Sequence, residues 1–186
     1  MVASTIISNI NHKINILSSC NLISYKNCSN SFNFADRLGI KSNLNVNSRV
    51  SRIVYWRKPE IPFVKLNTDG SVKRNIAGTG GIIRNFEGKV LSAFASPLNQ
   101  CSVLTAELSA VAEGIEKCIN LGYSNVWIEV NSQSVVNILN DKCQGNPYNF
   151  YLIRRIKLAL SNINYKISHV LHEANSCADW LANVGC

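Results

Sequence analysis

Hydrophobic spacing changes character twice along this chain. Up to about Ser51, short apolar patches alternate with Asn and Ser and hold neither a 3.6-residue nor a two-residue period, which predicts a poorly ordered leader. The stretch WRKPEIP at 56–62 then carries two prolines that restrict the backbone to extended conformations, as suits a lead-in to a first strand. Phe63, Lys65, Asn67 and Asp69 alternate with Val64 and Leu66, predicting a strand over 63–72 with one packed face. Strands follow at 78–86 and 89–95, divided by NFEGK, whose glycine marks a tight hairpin.

The period then lengthens. Leu104, Leu108, Val111, Ile115, Cys118 and Ile119 recur three and four apart, predicting a helix over 104–121 with Gly122 as its C-cap. Val126, Ile128 and Val130 return to strand spacing over 124–131, and Ser132 is placed to cap a short helix at 133–140. Beyond Gly145 and Pro147 the pattern predicts a helix at 150–160, a strand at 163–171 and a terminal helix at 175–184. A hairpin meander followed by strands alternating with helices describes an α/β domain, a mixed sheet with helices on its faces. We assign residues 56–186 to that domain and 1–55 to the leader.

Composition supports one core and little else. With 186 residues, 46% hydrophobic and 16% charged, the chain can bury one domain and carry a tail. The net charge of +8 sits mainly in residues 1–60, where eight Lys and Arg face only Asp36 and Glu60, while residues 61–186 hold eleven against nine. A basic leader suits phosphate binding and suits a solvated or targeting tail equally well. Residues 1–35 lack any acid and are rich in Ser and Asn, in the manner of an organelle transit peptide, though the first arginine is Arg37. The cysteines, seven in number, are widely spaced without a C-x-x-C pair, which argues against a disulfide framework and a zinc site. We therefore expect a reducing intracellular compartment, nucleus or cytoplasm, or a plastid or mitochondrion if the leader is a targeting signal. No stretch is apolar enough to span a membrane, and the chain is expected to act as a monomer.

Four polar residues stand in unusual places: Asp69 inside the first strand, Glu107 in the first long helix, Asn131 at a strand end and Asp179 in the last helix. Singly, each reads as turn chemistry or a solvated helix position. Together with their surroundings they do not: NTDGS at 67–71, GTGGIIRN at 78–85, TAELSAV at 105–111, EVNSQSVV at 129–136 and HEANSCADWLA at 172–182 resemble ribonuclease H, in particular its plant-type, retroelement-related branch. Five segments in order and on the expected element types make the likeness far more specific than any one motif. It runs from about Trp56 onward and leaves out the leader.

The resemblance implies a ribonuclease H-like fold in which Asp69, Glu107, the position of Asn131, and Asp179 form the catalytic, metal-holding set. Asp69 would bridge two ions, Asp179 would help hold the one that activates water, and Glu107 would serve the one near the leaving oxygen. Phosphodiester hydrolysis by in-line attack is served by two divalent ions about 3.5–4 Å apart. Mg2+, with Mn2+ as a substitute, fits because it takes hard oxygen ligands and keeps waters. Ser71 and Gln133 flank this set and would donate to ribose 2′-hydroxyls, the group by which RNA is told from DNA.

Two positions depart from the family pattern. Asn131 stands where an acid is expected and removes a full negative charge; Glu129, two residues earlier on the same side of the strand, is too far along the chain for easy rescue. His172 occupies a place where plant-type members carry Arg; it would shuttle a proton to the leaving group or bind substrate, or it is a surface histidine at a strand end, and His169 reads as structural. GTGG at 78–81 lacks the Lys-Ser/Thr of a phosphate loop and reads instead as glycine for close packing. The functional expectation is metal-dependent endonucleolytic cleavage of the RNA strand of an RNA–DNA hybrid. The alternative is a catalytically impaired, nucleic-acid-binding remnant of a retroelement, because of Asn131.

Overall fold

The structure is a computed structural model and describes residues 54–186; the leader assigned to 1–55 lies almost wholly outside the described residues. Five strands, β1 (Val64–Lys73), β2 (Ile76–Arg84), β3 (Val90–Leu98), β4 (Asn125–Val130) and β5 (Asn164–His169), form one sheet in the order β3-β2-β1-β4-β5. The first three make an antiparallel meander, whereas β4 runs parallel to β1 and β5 parallel to β4. Helices α1 (Val103–Asn120), α2 (Gln133–Leu139), α3 (Phe150–Leu160) and α4 (Ser176–Gly185) complete the order expected from hydrophobic spacing.

One face of the sheet is apolar and covered by α1. Val64 and Leu66 of β1, Ile83 of β2 and Val126, Ile128 and Val130 of β4 pack there with Leu108, Val111, Ile115 and Cys118 of α1. Val135, Val136 and Leu139 of α2 and Ile156 and Leu160 of α3 extend the same core. Ser102 caps α1 by accepting from the Thr105 amide, and Ser132 caps α2 by accepting from Val135.

The opposite face differs from what alternation in β1 predicts. Lys65, Asn67 and Asp69 are buried along with their apolar neighbours, so both faces of this central strand are packed. Helix α4 covers β1 and β2, seated on Gly78 and Gly80: a Cβ on Gly80 would overlap the Leu181–Ala182 backbone, and one on Gly78 the backbone at Gly185 and Cys186. The glycines of the GTGG segment thus serve helix-on-sheet approach, and Gly81 makes room for the Phe94 ring. Next to α4, the lead-in places Trp56 over the same face, its indole N–H donating to Asn67 Oδ1 at 3.0 Å. The described cysteines, Cys101, Cys118, Cys143, Cys177 and Cys186, are all free thiols.

Candidate metal and nucleic-acid site

Four elements deliver the candidate residues to the C-terminal half of β1. Asp69 stands opposite Gly80 of β2, on the α4 face, and is 4% exposed. Gly70 follows it and lets α1 approach: a Cβ there would collide with the Ala106–Glu107 peptide, so the absence of one brings Glu107 against β1. Val130, the last residue of β4, pairs in parallel with Thr68, which sets Asn131 beside Asp69 as the chain leaves the sheet. The first turn of α4 presents Asp179.

The electrostatics record this convergence. Burial pushes the Asp69 carboxyl up from 3.8 to about 6; the Asn131 side chain opposes the rise, the Asp179 charge adds to it, and the charge of His172 opposes it. Glu107 is pushed further, from 4.5 to about 8, first by burial and then by the charge of Asp69, against the Gly70 backbone amide. Asp69 is therefore the hub, with Asp179, Asn131, His172 and Glu107 all within electrostatic reach. Among the described residues, no three His, Cys, Asp or Glu side chains form a ready-made metal cage. The carboxylates meet pairwise on Asp69 instead, Glu107 and Asp179 each coupling to it through charge.

Two oxygens in the site have no protein partner. Glu107 Oε2 and Asn131 Oδ1 are buried without a hydrogen-bond partner, and a buried acceptor left unsatisfied is costly. Both are hard oxygen donors, beside a third in Asp69, so the donor set fits a hard divalent cation bound by Asp69, Glu107 and Asp179 with the Asn131 carbonyl as a neutral fourth donor.

The remaining candidates sit as follows. His172 is exposed, with Nδ1 3.3 Å from Asn131 Nδ2, and His169 Nε2 lies 3.1 Å from the Asn131 carbonyl. Ser71 donates to Asn183 Oδ1 at 2.9 Å, and Asn183 in turn donates to Asp179 Oδ1 at 3.2 Å. Gln133 is exposed at the start of α2, where its amide donates to Asn137 Oδ1 one turn on. Glu129 is committed to Lys65 and Asn67, which removes it as a substitute for the missing acid.

Asn175 and Asn183 were not singled out by sequence, yet both touch the site. Their spacing carried the signal: Asn183 lies one turn after Asp179 in α4, and Asn175 stands immediately before α4, where its carbonyl accepts from the Asp179 amide. A surface cavity between the end of α2 and α3, lined by Ile138, Cys143, Tyr151 and Arg154, contains none of the acidic candidates.

Comparison with known proteins bears on the family and the fold. Residues 67–185 match the reverse transcriptase-like family. A protein of Arabidopsis thaliana, provisionally named a ribonuclease H protein, is 33% identical over 138 residues, covering 73% of this chain and 22% of that protein, so the chain spans about a fifth of that relative's length. In architecture the chain is similar to RNase H1 from the halophilic archaeon Halobacterium salinarum, with a TM-score of 0.64 and 22% identity over 66% of this chain and 96% of that one. It is likewise similar to LC11-RNase H1, obtained from compost by a metagenomic approach and solved with an RNA/DNA hybrid: TM-score 0.61 and 22% identity over 65% and 94% of the two chains. The acid-bearing β1, its meander, the parallel β4 and β5 and the flanking helices are thus a ribonuclease H fold, and the chain belongs to the reverse transcriptase-like family as a plant-type, ribonuclease H-like domain.

Proposed function

We propose that this domain binds RNA–DNA hybrids and hydrolyses their RNA strand with a divalent cation, Mg2+ or Mn2+. The observation that carries the reading is the buried Asp69, set among Glu107, Asp179 and Asn131 with two acceptor oxygens left unsatisfied. A bound divalent pair supplies an activated water on one side of the phosphate and charge stabilisation for the departing oxygen on the other. Asp69, Glu107 and Asp179 would hold it, with Asn131 Oδ1 contributing an uncharged ligand. His172, exposed beside Asn131, would hand a proton to the leaving oxygen. Ser71 and Gln133 would meet ribose hydroxyls along the RNA strand. Contacts of this kind fall on sugar and phosphate, so sequence preference would be weak.

Asn131 favours a second reading, in which the domain binds hybrid but no longer cuts. The two separate cleanly in a gel assay with end-labelled RNA in a hybrid, run with Mg2+ and with Mn2+, on the native chain, Asp69→Asn and Asn131→Asp. Cleavage by the native chain that Asp69→Asn abolishes supports the nuclease. Cutting by Asn131→Asp alone, with salt-dependent hybrid binding by the native chain at a slope of about 0.9 per phosphate contact, supports the binder. A native chain that neither cuts nor binds at low salt refutes both.

A further inference from the structure

The acidic cluster adjoins a buried polar assembly that the reading above does not use. On the face of the sheet opposite α1, Lys65 is 0% exposed, its Nζ 2.8 Å from Glu129 Oε1 and 3.5 Å from the Trp127 ring centroid. Glu129 Oε2 accepts from Asn67 Nδ2 at 3.1 Å, and the same amide nitrogen reaches Asn175 Oδ1 at 3.2 Å. Asn67 Oδ1 accepts from Trp56 at 3.0 Å. Asn175, 1% exposed, closes the assembly by donating from Nδ2 to the Thr68 carbonyl at 2.9 Å.

The main chain of Asn175 is equally committed. Its N–H donates to the His172 carbonyl at 2.9 Å, and its own carbonyl accepts from Ala178 at 3.0 Å and from Asp179 at 3.1 Å. One residue therefore grips β1 immediately before Asp69 and also shapes the turn that presents His172 and Asp179. Apolar packing at that end of α4 rests on the small Ala178 alone, since Ser176 and Cys177 are exposed, so the side chain of Asn175 supplies the polar grip on β1 there. The Asp69 and Asp179 charges meanwhile push the two elements apart.

We propose that Asn175 is a positioning residue, a buried bracket aligned by Trp56, Asn67, Glu129 and Lys65 that sets Asp179 and His172 against Asp69. This rests on the cation-site reading above, and it assigns a task to lead-in residues that precede the matched family region. A buried amide that merely stabilises the fold is the alternative, and the two differ in what a mild substitution changes.

Asn175→Asp keeps the size and the acceptor for Asn67 but cannot donate to the Thr68 carbonyl, and because its added charge by itself favours a cation, weaker Mn2+ binding reports lost alignment. Trp56→Phe keeps a ring over Lys65 and removes only the donor to Asn67. On the full chain, Mn2+ affinity is measured by electron paramagnetic resonance, and amide hydrogen exchange is followed at 178–179 and in β1 and α1. The expected result for Asn175→Asp is Mn2+ affinity weaker by about tenfold or more, with exchange at 178–179 faster by a similar factor and α1 protection unchanged, as a local opening requires. Trp56→Phe should show the same pattern more weakly, and it carries the test if Asn175→Asp does not fold. Equal loss of protection throughout the domain, with Mn2+ affinity of the folded fraction unchanged, overturns the proposal. Failure of the native chain to bind Mn2+ would sink the cation reading alone; exchange confined to 178–179 would still support the bracket, and uniform exchange would still overturn it.

Discussion

Asn131→Asp restores the charge that this site lacks, and its consequences follow from the surroundings of Asp69. The new carboxylate would sit beside Asp69, where the amide now opposes the upward shift of Asp69, and near Asp179. At about 4 Å and an effective dielectric of about 20, one pair of like charges is worth about 4 kcal/mol as a ceiling. Asn131 and His172 are partly open to solvent, so screening reduces this to about 1–2 kcal/mol. Without divalent cations the variant should therefore melt lower near neutral pH, and Asp69 should titrate higher than it does now. The sign reverses when a cation is present, because the same carboxylate faces a double positive charge. A net gain of about 3 kcal/mol would tighten divalent binding by about a hundredfold, at 1.4 kcal/mol per decade. Calorimetric titration of the two proteins with Mn2+, together with melts with and without Mg2+, measures both halves. An affinity within threefold of the native chain, or a variant that is more stable when metal-free, would refute the reasoning.

Three further outcomes follow from the packing and the buried acids. Glu107 and Asp69 hold their protons more tightly folded (about 8 and about 6) than unfolded (4.5 and 3.8), so without metal the folded state binds the more protons and stability falls as pH rises through that window; Glu107 alone accounts for up to about 3 kcal/mol between pH 4.5 and 7, and urea melts of Glu107→Gln should be markedly flatter over this range, whereas parallel curves would contradict the assignment. Gly80→Ala drives a methyl group into the α4 backbone and should cost about 2–3 kcal/mol or unseat the helix, seen as a lower melting temperature together with lost Mn2+ binding; a change under about 0.5 kcal/mol would mean α4 does not rest there. Leu108→Ala, in the fully buried stripe of α1, should cost about 2–5 kcal/mol in urea denaturation, and a smaller loss would argue against its place in the core.

Much of the fold was readable because two periods dominate it. The helix at 150–160 begins and ends where the spacing places it, and α1 differs by a single residue at each end. β3 runs on to Leu98 past the expected end at 95, since Pro97 lies on an edge strand, where a missing donor does no harm. β5 stops at His169 because the chain turns into a short 3-10 segment at His172–Ala174. Alternation in β1 misled in one respect: polar residues every second position read as an open face, and no periodicity can register that Lys65 and Asn67 are satisfied by Glu129, Trp56 and Asn175 from distant stretches of chain.

The candidate site was legible as letters more than as geometry. Asp69 and Glu107 could be chosen for their motifs, but not the role of Gly70 in letting α1 reach β1. Asn131 stood out as a departure from the family pattern, while its unsatisfied oxygen is visible only when the strand end is placed beside Asp69. Asn183, joining Ser71 to Asp179, lay outside every motif that was matched.

The account stands or falls on whether Asp69, Glu107 and Asp179 share a cation. Anomalous diffraction from crystals soaked in Mn2+ addresses this directly. The expected map has a peak about 2.0–2.3 Å from an Asp69 oxygen with a second ligand from Asp179 or Glu107, and no such peak in Asp69→Asn. A native map without a peak at Asp69 at saturating Mn2+, or an unchanged peak in Asp69→Asn, would contradict it.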